Sequence, residues 1–213
     1  MNSAIRWRIM VLQAFMVIVF AGGAGFAFSI GAFTTNQIKD ELTAQQIYFP
    51  AQDQVKTGGA LDPAEFPQEI RDQAGNQVTD GNQARIYAND FIAIHLQKVA
   101  KGDTYASIGP KISALQAQQA VLAKDDPQYA ALGKQIATMQ GQRDTLFKGE
   151  ALRGNLLNAY GWWTVGTYTI YAAWGLLIAA IGVLGALLFE IFVAYRTPAR
   201  VVVPTNTAAA AKV

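Results

Sequence analysis

Two long stretches of the chain carry no charged side chain: residues 9–38, between Arg8 and Lys39, and residues 154–189, between Arg153 and Glu190. Each is longer than the roughly 20 apolar residues a helix needs to cross about 30 Å of hydrocarbon. In the first, residues such as Leu12, Phe15, Ile18 and Phe26 each favour insertion by roughly 0.3 to 0.6 kcal/mol near a bilayer centre, and Gln13 and Ser29 are minor debits. The pattern predicts one transmembrane helix over residues 9–33. A second membrane element covers residues 159–195, opening on Tyr160-Gly161-Trp162-Trp163, aromatic residues suited to the headgroup level, and ended by Thr197-Pro198.

Between these blocks the chain alternates in character. Thr34 to Thr43 continues the first helix, and Ile47-Tyr48-Phe49 before Pro50 reads as a short extended piece. Residues 51–82 are loop-rich, with Gly58-Gly59, Gly75-Asn76 and Asp80-Gly81 as turn signals. One helical turn is expected to begin at Asp62, with Pro63 at its first position and Pro67 ending it. A helix from Gln83 to Ala100 follows, with Tyr87, Phe91 and Ile94 on one face and Gly102 as its stop.

After a short turn at Asp103 to Ile108, the pattern becomes regular from Pro110. Ile108, Ile112, Leu115, Gln119 and Leu122 are spaced 4, 3, 4, 3, and Tyr129, Leu132, Ile136, Met139, Arg143 and Leu146 are spaced 3, 4, 3, 4, 3. Two such stripes around Lys124-Asp125-Asp126-Pro127 describe an antiparallel helical hairpin leaning on the preceding helix, with Asp126 as N-cap and Pro127 as first residue of the second arm. No proline separates that arm from the second apolar block, so the two can be one helix or two, with only Gly149, Gly154 and Gly161 opposing continuity.

The expected fold is therefore an all-α membrane protein: a cytoplasmic N-terminus (1–8), a transmembrane helix (9–33), a mainly helical extracytoplasmic domain (34–158), an interfacial segment with the second transmembrane helix (159–195), and a disordered cytoplasmic tail (196–213). Charge sets the orientation. Arg6 and Arg8 precede the first span, and Arg196, Arg200 and Lys212 follow the second against Glu190 alone, while Lys39 to Arg153 holds 12 basic and 14 acidic residues. Cytoplasmic flanks carry the basic excess, so both ends belong inside a bacterial inner membrane and the middle outside. The net charge of +2 then reflects two basic fringes, which gives no reason to expect a nucleic-acid partner. A cleaved signal peptide, with Gly25-Phe26-Ala27 as its site, is the alternative for the first block. An apolar stretch of about 25 residues is long for that role, where 7 to 15 is usual.

Candidate chemistry is sparse. The chain has no cysteine and one histidine, His95, which removes disulfides, thiol nucleophiles and iron–sulfur clusters and leaves a metal site to be built almost wholly from carboxylates. Asp62, Glu65, Glu69 and Asp72 form an acidic cluster without the alternating Asp/Asn spacing of a calcium loop, so capping and solvation explain them better. His95 reads as a packing residue. Neither span holds an Asp, Glu, Lys, Arg or His in its interior, which argues against a proton or ion path made by this chain alone. No metal, cofactor or catalytic residue is expected.

The run Ala84-Arg85-Ile86-Tyr87-Ala88-Asn89-Asp90-Phe91-Ile92, then His95-Leu96 and Gly102-Asp103-Thr104-Tyr105-Ala106, resembles a segment of uncharacterised actinobacterial two-span membrane proteins. Leu146-Phe147-Lys148-Gly149-Glu150-Ala151-Leu152-Arg153-Gly154 resembles them too, and the similarity covers roughly residues 80–190. It implies the two-span layout. Some members are labelled aromatic ring-opening dioxygenase, but one histidine without a cluster of metal ligands cannot supply the iron site that label needs.

What the spans do offer is small residues. Ala172, Gly175, Ala179, Gly182 and Ala186 are spaced 3, 4, 3, 4, and Ala14, Ala21, Gly25 and Ala32 form a comparable line in the first span. Close approach over small side chains is how membrane helices gain packing, so these lines are expected to meet each other or a partner helix, with Arg6, Arg8, Arg153, Trp162 and Trp163 as membrane-interface anchors. The expected partners are the lipid bilayer and another membrane protein or a second copy. The expected function is a non-enzymatic accessory, scaffolding or assembly subunit of a cell-envelope complex. The alternatives are an extracytoplasmic sensor signalling through a partner and, behind it, a membrane-surface enzyme.

Overall fold

A computed structural model describes residues 3–196. Thr197-Pro198, Arg200, Lys212 and the expected disordered tail lie outside the described residues. Those described are all-helical, with no strand among them. The elements are α1 (Ser3–Ala44), a 3₁₀ turn (Gln52–Gln54), α2 (Gln68–Arg71), α3 (Gly81–Ile86), a π-helical segment (Tyr87–Ile92), α4 (Ala93–Val99), α5 (Tyr105–Ala120) and α6 (Pro127–Arg196). Contacts divide the chain into two compact units: one made by the chain up to Ile30 with the chain from Thr169 onward, the other by Gly31–Tyr168.

Both long apolar helices outrun a single span. α1 has 42 residues, about 63 Å of helix, and α6 has 70, about 105 Å at 1.5 Å per residue. The hairpin arm and the second apolar block are thus one helix. It absorbs nine glycines, each worth about 1 kcal/mol against helix. α6 begins where Asp126 accepts the Gln128 N–H at 2.7 Å. α1 stops at Ala44, two residues before Gln46, whose φ of 53° is left-handed, and the Gln77 amide donates to the Thr43 carbonyl in its last turn at 2.8 Å.

The Gly31–Tyr168 unit has one apolar core. Its most completely buried side chains, Leu61, Ile70, Ile108 and Val78, come largely from the segment whose composition reads as loop. Tyr48 and Gln77 form an isolated antiparallel bridge, with Phe49 donating to the Asn76 carbonyl at 2.9 Å and Val78 to the Ile47 carbonyl at 2.8 Å. That clasp holds the loop segment over α1. The helical turn expected at Asp62 is a hydrogen-bonded turn only, and the helix comes one step later, with Pro67 as the N-cap of α2. Pro67 thus does both jobs: it ends the turn closed by the Phe66 N–H on the Asp62 carbonyl, and, extended at ψ 159°, it stands immediately before the first residue of α2.

The helix expected from Gln83 to Ala100 is three pieces. Asp80 caps α3 by accepting the Gln83 N–H at 2.9 Å, and the π turn over Tyr87–Ile92 separates α3 from α4. Lys101 and Gly102 then take positive φ, and the Gly102 N–H reaches back to the Gln97 carbonyl at 2.8 Å, the closure that ends many helices.

α5 starts earlier than its apolar spacing suggests, at Tyr105, with Pro110 inside the helix. Thr104 and Ser107 exchange reciprocal side-chain-to-backbone bonds of 3.1 and 2.9 Å. Such a box outweighs the proline one and a half turns on. Thr104→Ala is expected to lower the unfolding free energy of this unit by about 1 kcal/mol, while Ser113→Ala, exposed further along α5, changes it little. A denaturant titration of the whole chain in detergent checks the difference.

The two polar residues that interrupt the hairpin stripes are accommodated in different ways. The Gln119 amide donates to the Tyr129 carbonyl at 2.9 Å, in space left by Gly133, where a Cβ would stand 3.0 Å from that amide nitrogen. Arg143 lies over the Tyr105 ring at 4.8 Å and donates to its hydroxyl at 3.3 Å.

Candidate functional site

In the unit made by the two chain ends, α1 and α6 pack as an antiparallel pair. Ala24, Ala173 and Ala180 are buried, and Leu176 lies over Gly23, where a Cβ would meet Leu176 Cδ1 at 3.5 Å. The Phe28 and Trp174 rings meet edge to face at 6.5 Å. On α6 the covered line is Ala173, Leu176, Ala180, Val183, Leu187 and Glu190, each buried or half-buried. It keeps the 3-4 period of the expected small-residue line but falls one residue round the helix. Ala172, Gly175, Ala179, Gly182 and Ala186 are all exposed, and a Cβ at Gly175 or Gly182 would touch nothing within 4 Å. The expectation that these lines meet internally is therefore corrected. The observed pair sets Leu176 over Gly23, a large residue over a small one, so the two helices interlock through a mixed line of large and small side chains.

On α1, Ala14 is half-buried while Ala21 and Gly25 are exposed. These last two line an apolar groove of about 300 Å³ with Phe28, Trp174 and Leu177. Arg6 pairs with Glu190 at 3.5 Å, whereas Arg8 is exposed.

Ala32 of the Gly31–Tyr168 unit is half-buried. The close approach here is at Gly166, where a Cβ would lie 2.9 Å from Thr35 Cγ2 and 3.1 Å from the Gly31 carbonyl. Two expected anchors are committed to packing. Trp163 covers Gly81, where a Cβ would stand 2.5 Å from Trp163 Cβ, and Arg153 bonds Asn89 and Glu150, each at 3.2 Å. Trp162 remains 57% exposed.

His95 sits at the end of a ladder of rings. Phe49 and Tyr87 lie 5.3 Å apart, Tyr87 and Phe91 5.0 Å, and Phe91 and His95 4.4 Å, with Phe66 5.6 Å from His95. Its Nδ1 is 3.0 Å from the Phe91 carbonyl, the contact of a packing histidine. The four acids are dispersed among separate partners. Asp62 accepts the Gly58 and Ala64 N–H groups at 2.7 and 2.9 Å, and these bonds hold its carboxyl below the ordinary range. Glu65 pairs with Lys98, Glu69 with Arg85, and Asp72 accepts from Gln68. Exposed pairs of this kind contribute about 0 to 1 kcal/mol each.

Asp90 on the π turn has its carboxyl raised, chiefly by burial and then by Glu69, with Arg85 opposing. Periodicity could not have found this residue, because the π turn shifts the register of the helix around it. No group of three or more His, Cys, Asp or Glu side chains is placed to hold a metal among the described residues. The side chains gathered here pack and orient one another.

No family model matches the chain, and neither a curated protein nor a solved structure is found that matches it.

Proposed function

We propose that this chain is a two-span inner-membrane protein with both ends in the cytoplasm and the central helical unit outside, and that it works without catalysis, as an accessory or assembly subunit for another membrane protein. The observation that carries this reading is the exposure of its most apolar surface. In the most hydrophobic 18-residue window of each long helix, only 6% is buried inside the chain. Phe15, Ile18, Phe26, Ile178 and Phe189 are each more than 60% exposed, a surface that lipid or another helix covers and water does not. The basic flanks and the near-neutral middle support the orientation. The exposed line from Ala172 to Ala186, left unused by α1, supports a partner helix, and the resemblance to two-span proteins is in keeping with the layout.

The test is extraction in mild detergent followed by identification of what co-purifies, with cysteines placed at Gly23 and Leu176 as an internal crosslink. A stoichiometric second protein is expected with the native chain and with Leu184→Ala. It is expected to be lost with Gly182→Leu, while the α1–α6 crosslink forms in all three. A chain that purifies alone, or a partner indifferent to Gly182→Leu, overturns the accessory reading.

A further inference from the structure

Two arginines stand one turn from the start of α1, and the fold treats them differently. Arg6 is turned inward, its side chain 20% exposed and 3.5 Å from Glu190. Arg8 is exposed and has no ion pair among the described residues. Beside it runs an open groove of about 410 Å³ lined by Trp7, Arg8, Val11, Leu12 and Phe15. Trp7 is 65% exposed, Leu12 58% and Phe15 62%, and the same face continues through Ile18 and Val19, also exposed. From Arg8 to Val19 the helix rises about 16 Å, a length comparable with much of one acyl chain. A cation and an indole thus sit at one end of an apolar track.

We propose that this groove binds one anionic phospholipid, its phosphate on the Arg8 guanidinium and the Trp7 indole N–H, and one acyl chain along Val11, Leu12 and Phe15. Charge complementarity selects the occupant. The Arg6 charge is already matched by Glu190, so Arg8 supplies the uncompensated cation of the groove, and guanidinium matches phosphate with two parallel donors. Tryptophan at the head of an apolar track is the arrangement favoured where hydrocarbon meets headgroups. The proposal rests on the membrane reading above.

Full-length protein is reconstituted in bilayers of phosphatidylcholine and phosphatidylglycerol, with bromine on the chains of one lipid at a time. Trp7 quenching is read as the difference between the native chain and Trp7→Phe. Brominated phosphatidylglycerol is expected to be enriched at Trp7 on the order of fivefold over brominated phosphatidylcholine, the preference a single basic side chain gives near an anionic surface. Arg8→Gln should abolish that preference. Arg8→Lys should retain part of it, and Arg6→Gln should leave it in place. Equal quenching by the two lipids in the native protein, or an unchanged preference in Arg8→Gln, overturns the lipid site while leaving the membrane reading intact. Absence of quenching by either lipid overturns both.

Discussion

Ile136→Asp is expected to lower the stability of the Gly31–Tyr168 unit by about 4 kcal/mol. Ile136 is 6% exposed and belongs to the same core as Ile108 and Ile112 of α5. The substitution removes most of a buried aliphatic side chain, worth about 2 to 5 kcal/mol, and puts in its place a carboxylate that must be protonated or drag water into the seam. Gln135→Asp, one residue away but on the exposed face of α6, should change stability by no more than about 0.5 kcal/mol. Limited proteolysis of the whole chain checks this, with cleavage between α5 and α6 accelerated only by the first change. Equal protease sensitivity for both would mean that these stripes do not form the packed seam.

The second large effect concerns glycines, which are indistinguishable in the sequence and opposite in consequence. Gly81→Val is expected to cost about 3 kcal/mol, because even its Cβ would lie 2.5 and 2.7 Å from Trp163 Cβ and Cγ, and overpacking of this kind costs about 1 to 3 kcal/mol. Gly149→Val should behave similarly against Leu96, whose Cδ2 would be 2.4 Å from the new Cβ. Gly154→Ala should instead stabilise by about 0.5 to 1 kcal/mol, since nothing lies within 4 Å of its Cβ position and α6 gains a better helix former. Thermal unfolding of the three variants should rank Gly154→Ala above the native chain and the two valines below it. A valine at Gly81 tolerated as well as alanine at Gly154 would show that α3 does not rest on α6.

The elements most legible in the sequence are those whose signal is periodic and repeated. The stripes of α5 and α6, the Asp126 cap and the extended Ile47-Tyr48-Phe49 are all present where spacing and turn chemistry place them. Legibility fails where one local signal competes with another. Pro110 hides the true start of α5, because the capping pair Thr104 and Ser107 is polar and lies outside the apolar stripe. The segment from Ala51 to Asn82 reads as loop because Leu61, Phe66, Ile70 and Val78 have no helical or strand period, yet all four are buried. The small-residue line on α6 shows the same limit in the candidate site. Composition reveals a 3-4 period of alanine and glycine, but an adjacent line with the same period, in which Ala173 and Ala180 alternate with Leu176, Val183 and Leu187, is the one that α1 covers.

Leu42 near the end of α1 and Leu156 in the first half of α6 belong to one core, yet they are more than a hundred residues apart in the chain. A ribosome adding about 5 to 20 residues per second therefore holds Leu42, Phe49 and Ile70 without their partners for on the order of 10 s before Leu146 and Leu156 are made. During that interval the half-made unit presents unsatisfied apolar surface to whatever receives it, so stop codons placed before Leu146 should leave a product cleared by quality-control proteases instead of a smaller folded unit.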